Sequence, residues 1–311
     1  MLPIFQITGR AVWFVARNAF TLFRLSWLPI VLLMAAAYAM AYGVAHVSPG
    51  MQLKEMFETD VFAAAMLTDF LLQGLAFSVI AVAVHRIVLF DDRKPGQYFA
   101  FPFGATEFIY VLMGAMTIVA LLVPILFANV AVEMLLAWTG VSRGALTENP
   151  PVLAATAVLG LTTYIAFIWL SLRLMLWPPA VVANNKLSLG EAWRLSRGNV
   201  FALLALAIAS SVAFLVLGGA VAIAAAQTGA IDTLDLSKTL AFEGTPEARL
   251  TRIVEHRVNP HVIAYEFAFQ FFVTTYAVAV LSYAYKALQG FDIDLPINGQ
   301  QPGSGGMTPA F

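Results

Sequence analysis

The sequence predicts an all-α polytopic membrane fold, with about six transmembrane helices and amphipathic in-plane elbow helices on the cytoplasmic side. Three observations lead there. Hydrophobic residues fill 60% of the 311 positions and charged ones only 11%, against about 25% charged in a soluble domain. The apolar residues gather into runs of about 20 or more, the length that crosses a hydrocarbon core about 30 Å thick. Lys and Arg collect between alternate runs rather than evenly.

Taken in order, the runs predict spans at roughly 27–46, 61–90, 107–128, 152–177, 200–226 and 261–288. The second, fourth and sixth exceed the minimum and have room to tilt or to extend beyond the bilayer. The stretch 129–138 is apolar but half-length, either an in-plane helix or a continuation of span three. Six spans place both termini on one side. That side holds Arg10, Arg17, Arg24, Arg86, Arg93, Lys94, Arg173, Lys186, Arg194, Arg197 and Lys286, eleven in all. The other side holds six, four of them in the long loop 227–260. The basic side faces the cytoplasm, so the expected location is the bacterial inner membrane with both termini inside. The N-terminal basic stretch is too long for the n-region of a cleavable signal, so the first apolar run is expected to stay in the membrane. Residues 1–290 read as a single integral membrane domain. The tail 291–311, "FDIDLPINGQQPGSGGMTPAF", is polar and rich in Gly and Pro and is expected to be disordered.

Ahead of the first span, Arg10, Arg17 and Arg24 recur every seven residues. Seven residues make almost two helical turns, with a drift of about 20°, so the three share one stripe with Gln6 and Thr21. The opposite face carries Phe5, Val12, Val15, Ala19, Leu22 and Phe23. Such a helix, about 3–26, suits the membrane interface, with arginines at phosphate level. The plainer alternative is that the arginines only set orientation. In "SWLP", Ser26 is expected to cap and Pro29 to open the first turn of span one.

A second elbow is predicted at "NNKLSLGEAWRLSRGNVFALLAL". Ser188 and Glu191 have capping-box spacing, Gly198 fits just past the helix end, and Arg194 and Arg197 are expected to share a face. A third is predicted at "DDRKPGQYFAFPFGATEF", with Thr106 as cap. The segments "ARNAFTLFRL" and "SRGNVFALLAL" run in similar register, which suggests three elbow-plus-hairpin units.

The stretch 171–206 resembles the membrane domain of some bacterial glycerophosphoryl diester phosphodiesterases and the stand-alone polytopic proteins of that superfamily. The matching features are Arg173 late in an apolar span, the Pro179–Val182 turn, Glu191-Ala192-Trp193, and Ser196-Arg197-Gly198-Asn199. They cover about an eighth of the chain. The resemblance implies a six-span inner-membrane fold without an assigned activity. Hydrolysis does not carry over, because it belongs to a separate barrel with a His-Arg-Gly start and a carboxylate metal site. Here His85-Arg86-Ile87 departs from that start and ends a span.

Polar groups inside spans mark candidate sites. Asp69 and Gln73 in span two and Glu266 and Gln270 in span six form a possible intramembrane polar site, with Arg173 as a further member. The carboxylates suit proton or cation coupling; the alternative is hydration near the helix ends, with Arg173 snorkelling to the headgroups. His46, His256 and His261 lack zinc-site spacing. No cysteine is present, which excludes thiol chemistry and disulfides. No nucleotide-binding loop or serine-hydrolase elbow occurs. No cofactor, metal or nucleic acid is expected. The function expected is non-enzymatic and lipid-associated: binding, organising or moving phospholipid, or scaffolding a partner. Headgroup contacts are assigned to Arg10, Arg17, Arg24, Lys186, Arg194 and Arg197. The alternative is a secondary transporter or channel using Asp69 and Glu266.

Overall fold

The computed structural model describes residues 2–47, 60–92, 103–227 and 260–297. Among them are nine α-helices and no strand: α1 (Ile4–Arg17), α2 (Ala19–Val47), α3 (Asp60–Phe90), α4 (Ala105–Thr139), α5 (Pro150–Leu174), α6 (Trp177–Asn184), α7 (Leu189–Ser196), α8 (Val200–Gln227) and α9 (Pro260–Leu288). A 3-10 turn, Arg143–Glu148, joins α4 to α5. Five stretches are long and apolar enough to cross a membrane: Leu71–Phe90, Ala105–Thr139, Pro150–Asn184, Val200–Ala220 and Ala268–Leu288. The bent pair of α1 and the start of α2 makes a sixth if counted as one span. This is an all-α, multi-pass membrane protein. The loop 228–259, with most of the minority basic side, lies outside the described residues.

Helices α3 and α9 form the centre. In the most apolar window of each, 56% and 67% of residues are buried, against 6% in α4 and in the α5–α6 stretch. They run side by side toward one end of the bundle. α2 packs on both, α1 and α8 flank α9, and α4 lies along α3 with α5 behind it. The core joins Leu22 and Ile30 of α2, Ile80, Val84 and Ile87 of α3, Leu203 and Leu206 of α8, and Val278 and Ala279 of α9. The outer helices present Val119, Leu126 and Phe127 of α4, Leu161 of α5 and Leu215 of α8 to the surroundings. A hydrocarbon solvent suits such a surface.

The stretch 129–138 continues α4 without a break. At 35 residues, α4 is roughly 50 Å long, so it outruns a bilayer core. Its far end carries an exposed ion pair between Glu133 and Arg143.

α6 was hidden in the sequence inside the end of span four and the Pro-Ala-Val-Val turn. Pro178 and Pro179 fill its first turn, where a missing N–H costs nothing. Its Trp177, Ala180 and Val181 are buried against α3, α4, α7 and α9.

The first elbow turns at a different residue from the one expected. Ser26 and Pro29 lie inside α2, where the Ser26 hydroxyl donates back to the Leu22 carbonyl at 2.7 Å. The break falls at Asn18, where α1 meets α2 at 78°. The Asn18 side chain donates to the Phe14 carbonyl at 2.9 Å, and its own carbonyl accepts from Leu22 N–H at 2.8 Å. It closes one helix and opens the next. The arginine stripe is therefore cut, with Arg10 and Arg17 on α1 and Arg24 on α2. The buried face of α1 is Ile7, Thr8, Ala11, Phe14 and Val15, and it packs on α9 and α8. Phe5, expected on the apolar face, is 86% exposed.

The second elbow repeats the device. Asn199 donates its side-chain amide to the Leu195 carbonyl at 3.1 Å, and its carbonyl opens α8 by accepting from Leu203 at 2.8 Å. Gly198 takes the left-handed conformation, φ 82°, which admits glycine at little cost. The capping box does not form. Ser188 donates to the Lys186 carbonyl instead, and Glu191 is drawn into contacts with α9 described below. Arg194 and Arg197 do not share a helix face, because α7 ends at Ser196 and Arg197 is extended.

Thr106 is inside α4 rather than at its cap. Gly104 holds the cap position, its N–H donating to Glu107 Oε2 at 2.9 Å. Residues 93–102 of the third elbow lie outside the described residues.

Candidate functional site

The ends of α3 and α9, the starts of α4 and α8, and all of α1, α6 and α7 meet at one end of the bundle, called here the basic end. Four side-chain groups hold it together. Arg86 of α3 pairs with the buried Glu107 of α4 at 3.2 Å and donates to Thr106 Oγ1 at 3.0 Å. Thr106 in turn donates to Asn185 Oδ1 at 2.6 Å. Glu191 of α7 accepts from Tyr285 Oη at 2.7 Å, Gln289 Nε2 at 2.6 Å and Asn184 Nδ2 at 2.6 Å. His85, fully buried, meets Ser282 through Nδ1 at 2.7 Å. Arg173 stacks against Trp169 and Trp193, 5.2 and 5.0 Å from their ring centres. These contacts commit Arg86 and Arg173 to structure: a buried carboxylate needs its cation, and a guanidinium over indole is a favourable cation–π pair.

A different group of basic residues surrounds a cavity of about 260 Å³ at the same end. Its walls come from α1, the C-terminal ends of α3 and α9, and a strap of residues 291–297. α1 brings Arg10 and Arg17, seven apart on one flank, because its Ile7/Ala11/Phe14 face is fixed against α9. The Phe14 and Tyr283 rings meet edge to face, their centres 6.3 Å apart. α9 brings Lys286, 1% exposed. Asp91, just past the end of α3, takes a positive φ of 55° at the cavity wall. Three cations thus line the cavity with two carboxylates, Asp91 and Asp294.

The strap is the unexpected part. Gly290, at φ 75°, reverses the chain after α9, and Phe291 N–H closes the turn on the Lys286 carbonyl at 3.0 Å. Lys286 Nζ then donates to the carbonyls of Ile293, at 3.1 Å, and Leu295. Asp292 accepts the Asp294 N–H at 2.8 Å, and Asp294 pairs with Arg10. Ile297 N–H donates to Leu89 O at 2.7 Å, pinning the strap to the end of α3. The disorder expected from 291 onward therefore does not hold for 291–297. A backbone whose carbonyls are taken by a buried ammonium, and whose carboxylate is taken by an arginine, is ordered despite its composition. Residues 298–311 lie outside the described residues.

The expected headgroup residues divide. Arg10 and Arg17 line the cavity; Arg24 does not, because the bend at Asn18 carries it away on α2. Arg17 is exposed and has no ion pair or hydrogen bond among the described residues, while Arg10 is held by Asp294. Lys186, Arg194 and Arg197 are exposed elsewhere on the basic end. Sequence reasoning missed Lys286, Asp91 and Asp294. The clue was available: a lysine in the last turn of a span, followed by two acids within eight residues.

The two carboxylates of the expected intramembrane group fall outside the described side chains. Arg173 sits with Trp169 and Trp193. Gln73 and Gln270 are exposed. The backbones of Asp69 and Glu266 lie in α3 and α9, each sixteen positions before the His85–Ser282 contact. Their side chains, and those of His46 and His261, lie outside the described residues. No cluster of His, Asp or Glu able to hold a metal occurs among the described residues. Comparison with family models, curated proteins and solved structures finds no match to this chain, and nothing in those comparisons links it to phosphodiesterase membrane domains.

Proposed function

We propose that this chain is a non-enzymatic, lipid-associated protein of the bacterial inner membrane, with both termini in the cytoplasm, whose basic end engages anionic phospholipid headgroups. One observation carries the reading: Arg10, Arg17 and Lys286 surround a cavity at the end of a membrane-spanning bundle, beside an outer rim of Lys186, Arg194 and Arg197. Basic residues at this depth belong on the cytoplasmic side, where anionic lipid collects. The transporter reading built on Asp69 and Glu266 has no described side-chain geometry behind it and is not advanced. The resemblance of 171–206 lends it no activity.

The test uses full-length protein in nanodiscs, with native mass spectrometry of the lipids retained. Phosphatidylglycerol should be retained over phosphatidylcholine. Changing the exposed Arg17, Arg194 and Arg197 together to Gln removes three charges, each contributing about 1 kcal/mol near an anionic surface. The expected loss of phosphatidylglycerol is about 100-fold at low salt, and screening lowers it as salt is raised. Equal retention of the two lipids by the unmodified protein ends the proposal. A reporter at the C-terminus should show a cytoplasmic signal.

A further inference from the structure

We propose that Asp294 is a built-in competitor for the cavity at the basic end: the strap carries its carboxylate onto Arg10, in the place a phosphate group takes when a ligand binds. The proposal rests on the lipid reading above and concerns how that site is controlled.

The reasoning starts from what the cavity already contains. Arg10 and Arg17 sit on one flank of a single helix, held by a face that cannot rotate without uncovering Ile7 and Ala11, both 0% exposed. Two guanidiniums so fixed suit one phosphate group, because planar forked donors match phosphate oxygens. Only one of them is engaged. Arg10 holds Asp294, while Arg17 has no partner among the described residues. A carboxylate presents two coplanar oxygens and one charge; a phosphate monoester presents three terminal oxygens and a second charge, and a diester sets four oxygens tetrahedrally about its single charge, so either offers acceptors to both arginines.

The strap is built to be displaced as a unit. Its side-chain hold on α1 is the Arg10–Asp294 pair, and Asp294 is 46% exposed. Its other anchors include backbone bonds to Lys286 Nζ and Leu89 O and the Ile293 side chain, 6% exposed, which must leave the core for the strap to lift. Leu295, half exposed, covers the cavity without filling it. When a phosphate takes Arg10, Asp294 loses its partner and faces a second anion. Repulsion then favours release of residues 292–296, and the Lys286 ammonium is freed from carbonyls to meet the ligand. The chemistry required of the ligand is a phosphate mono- or diester, carried by a lipid headgroup or by a soluble molecule.

The chain has no cysteine, so a single spin label at Leu295→Cys reports strap motion in the full-length protein. Two further variants separate competition from simple loosening. Asp294→Asn and Arg10→Gln both break the ion pair and should both mobilise the label. Only Asp294→Asn leaves the cation in place, so it alone should retain more phosphatidylglycerol than the parent, by several-fold, with phosphatidylcholine unchanged. Adding phosphatidylglycerol to the labelled parent should mobilise the strap. Glycerol phosphate in detergent provides the second arm: release there as well assigns the site to soluble phosphates, and release by lipid alone assigns it to headgroups. If Asp294→Asn and Arg10→Gln change lipid retention alike, or if neither phosphate source moves the label, Asp294 is not a competitor. In that case selective retention of phosphatidylglycerol by the parent still upholds the lipid reading, whereas its absence removes both.

Discussion

Arg86 and Arg173 show how little an arginine at a span end reveals by itself. One closes an ion pair on a buried Glu107; the other stacks between two tryptophans. In the sequence Arg86 counts toward the basic side, and Arg173 reads as a member of an intramembrane polar site or as snorkelling to the headgroups. The difference has a measurable consequence. Arg86→Met leaves Glu107, 4% exposed, without its cation and Thr106 without a donor. Removing one partner of a buried pair costs about 3–5 kcal/mol, so thermal unfolding in detergent should shift strongly downward. Glu107→Gln keeps an acceptor and leaves Arg86, 25% exposed, access to water. It should cost markedly less. Equal losses would mean that the pair is not desolvated. Glu191 carries the same lesson: its spacing from Ser188 promised a local cap, but three donors from α6 and the end of α9 won the carboxylate. Tertiary partners cannot be read from a four-residue motif.

Among the helices, the elbows are the repeated unit, and asparagine is their mechanism. Asn18 and Asn199 each bond back to the carbonyl four residues earlier and open the next helix through their own carbonyls. Replacing either with Ala removes a side-chain hydrogen bond and should cost about 1 kcal/mol, seen as a lower unfolding temperature. Asn18→Ala, at a buried site, should cost more than Asn199→Ala, which is partly exposed. If neither variant changes stability, the bends are imposed entirely by packing. The similar segments "ARNAFTLFRL" and "SRGNVFALLAL" each contain one of these two asparagines. The proline at 29 drew the boundary away from Asn18, yet a proline near the middle of a long apolar helix is tolerated where neighbouring groups satisfy the freed carbonyl. The spans themselves were legible, because hydropathy depends on the solvent and not on neighbours. Arg10 and Arg17 were legible as a stripe. Lys286 and the strap were not, since "FDIDLP" owes its order to a buried ammonium on one helix and an arginine on another.

At the scale of the whole molecule, the first helix meets the last span and the strap that follows it. α1 lays Ile7, Ala11, Phe14 and Val15 against α9 and α8, and the strap returns to Arg10. An isolated N-terminal peptide would therefore present to a vesicle a face that the folded protein buries. The consequence lies in the order of synthesis. The first helix is made long before Pro260, where its main cover begins, and translation at about 5–20 residues per second leaves that stripe unclaimed for on the order of ten seconds to a minute. During that interval its natural refuge is the bilayer surface, so the nascent chain borrows the lipid as a placeholder for α9. A chain ending at Gln227 should stay in that waiting state, with trypsin cutting readily after Arg10, whereas the full-length protein should resist. Equal resistance would show that α8 alone completes the cover. Folding of this protein is then finished by its last span, and damage to the C-terminal region uncovers the N-terminal helix.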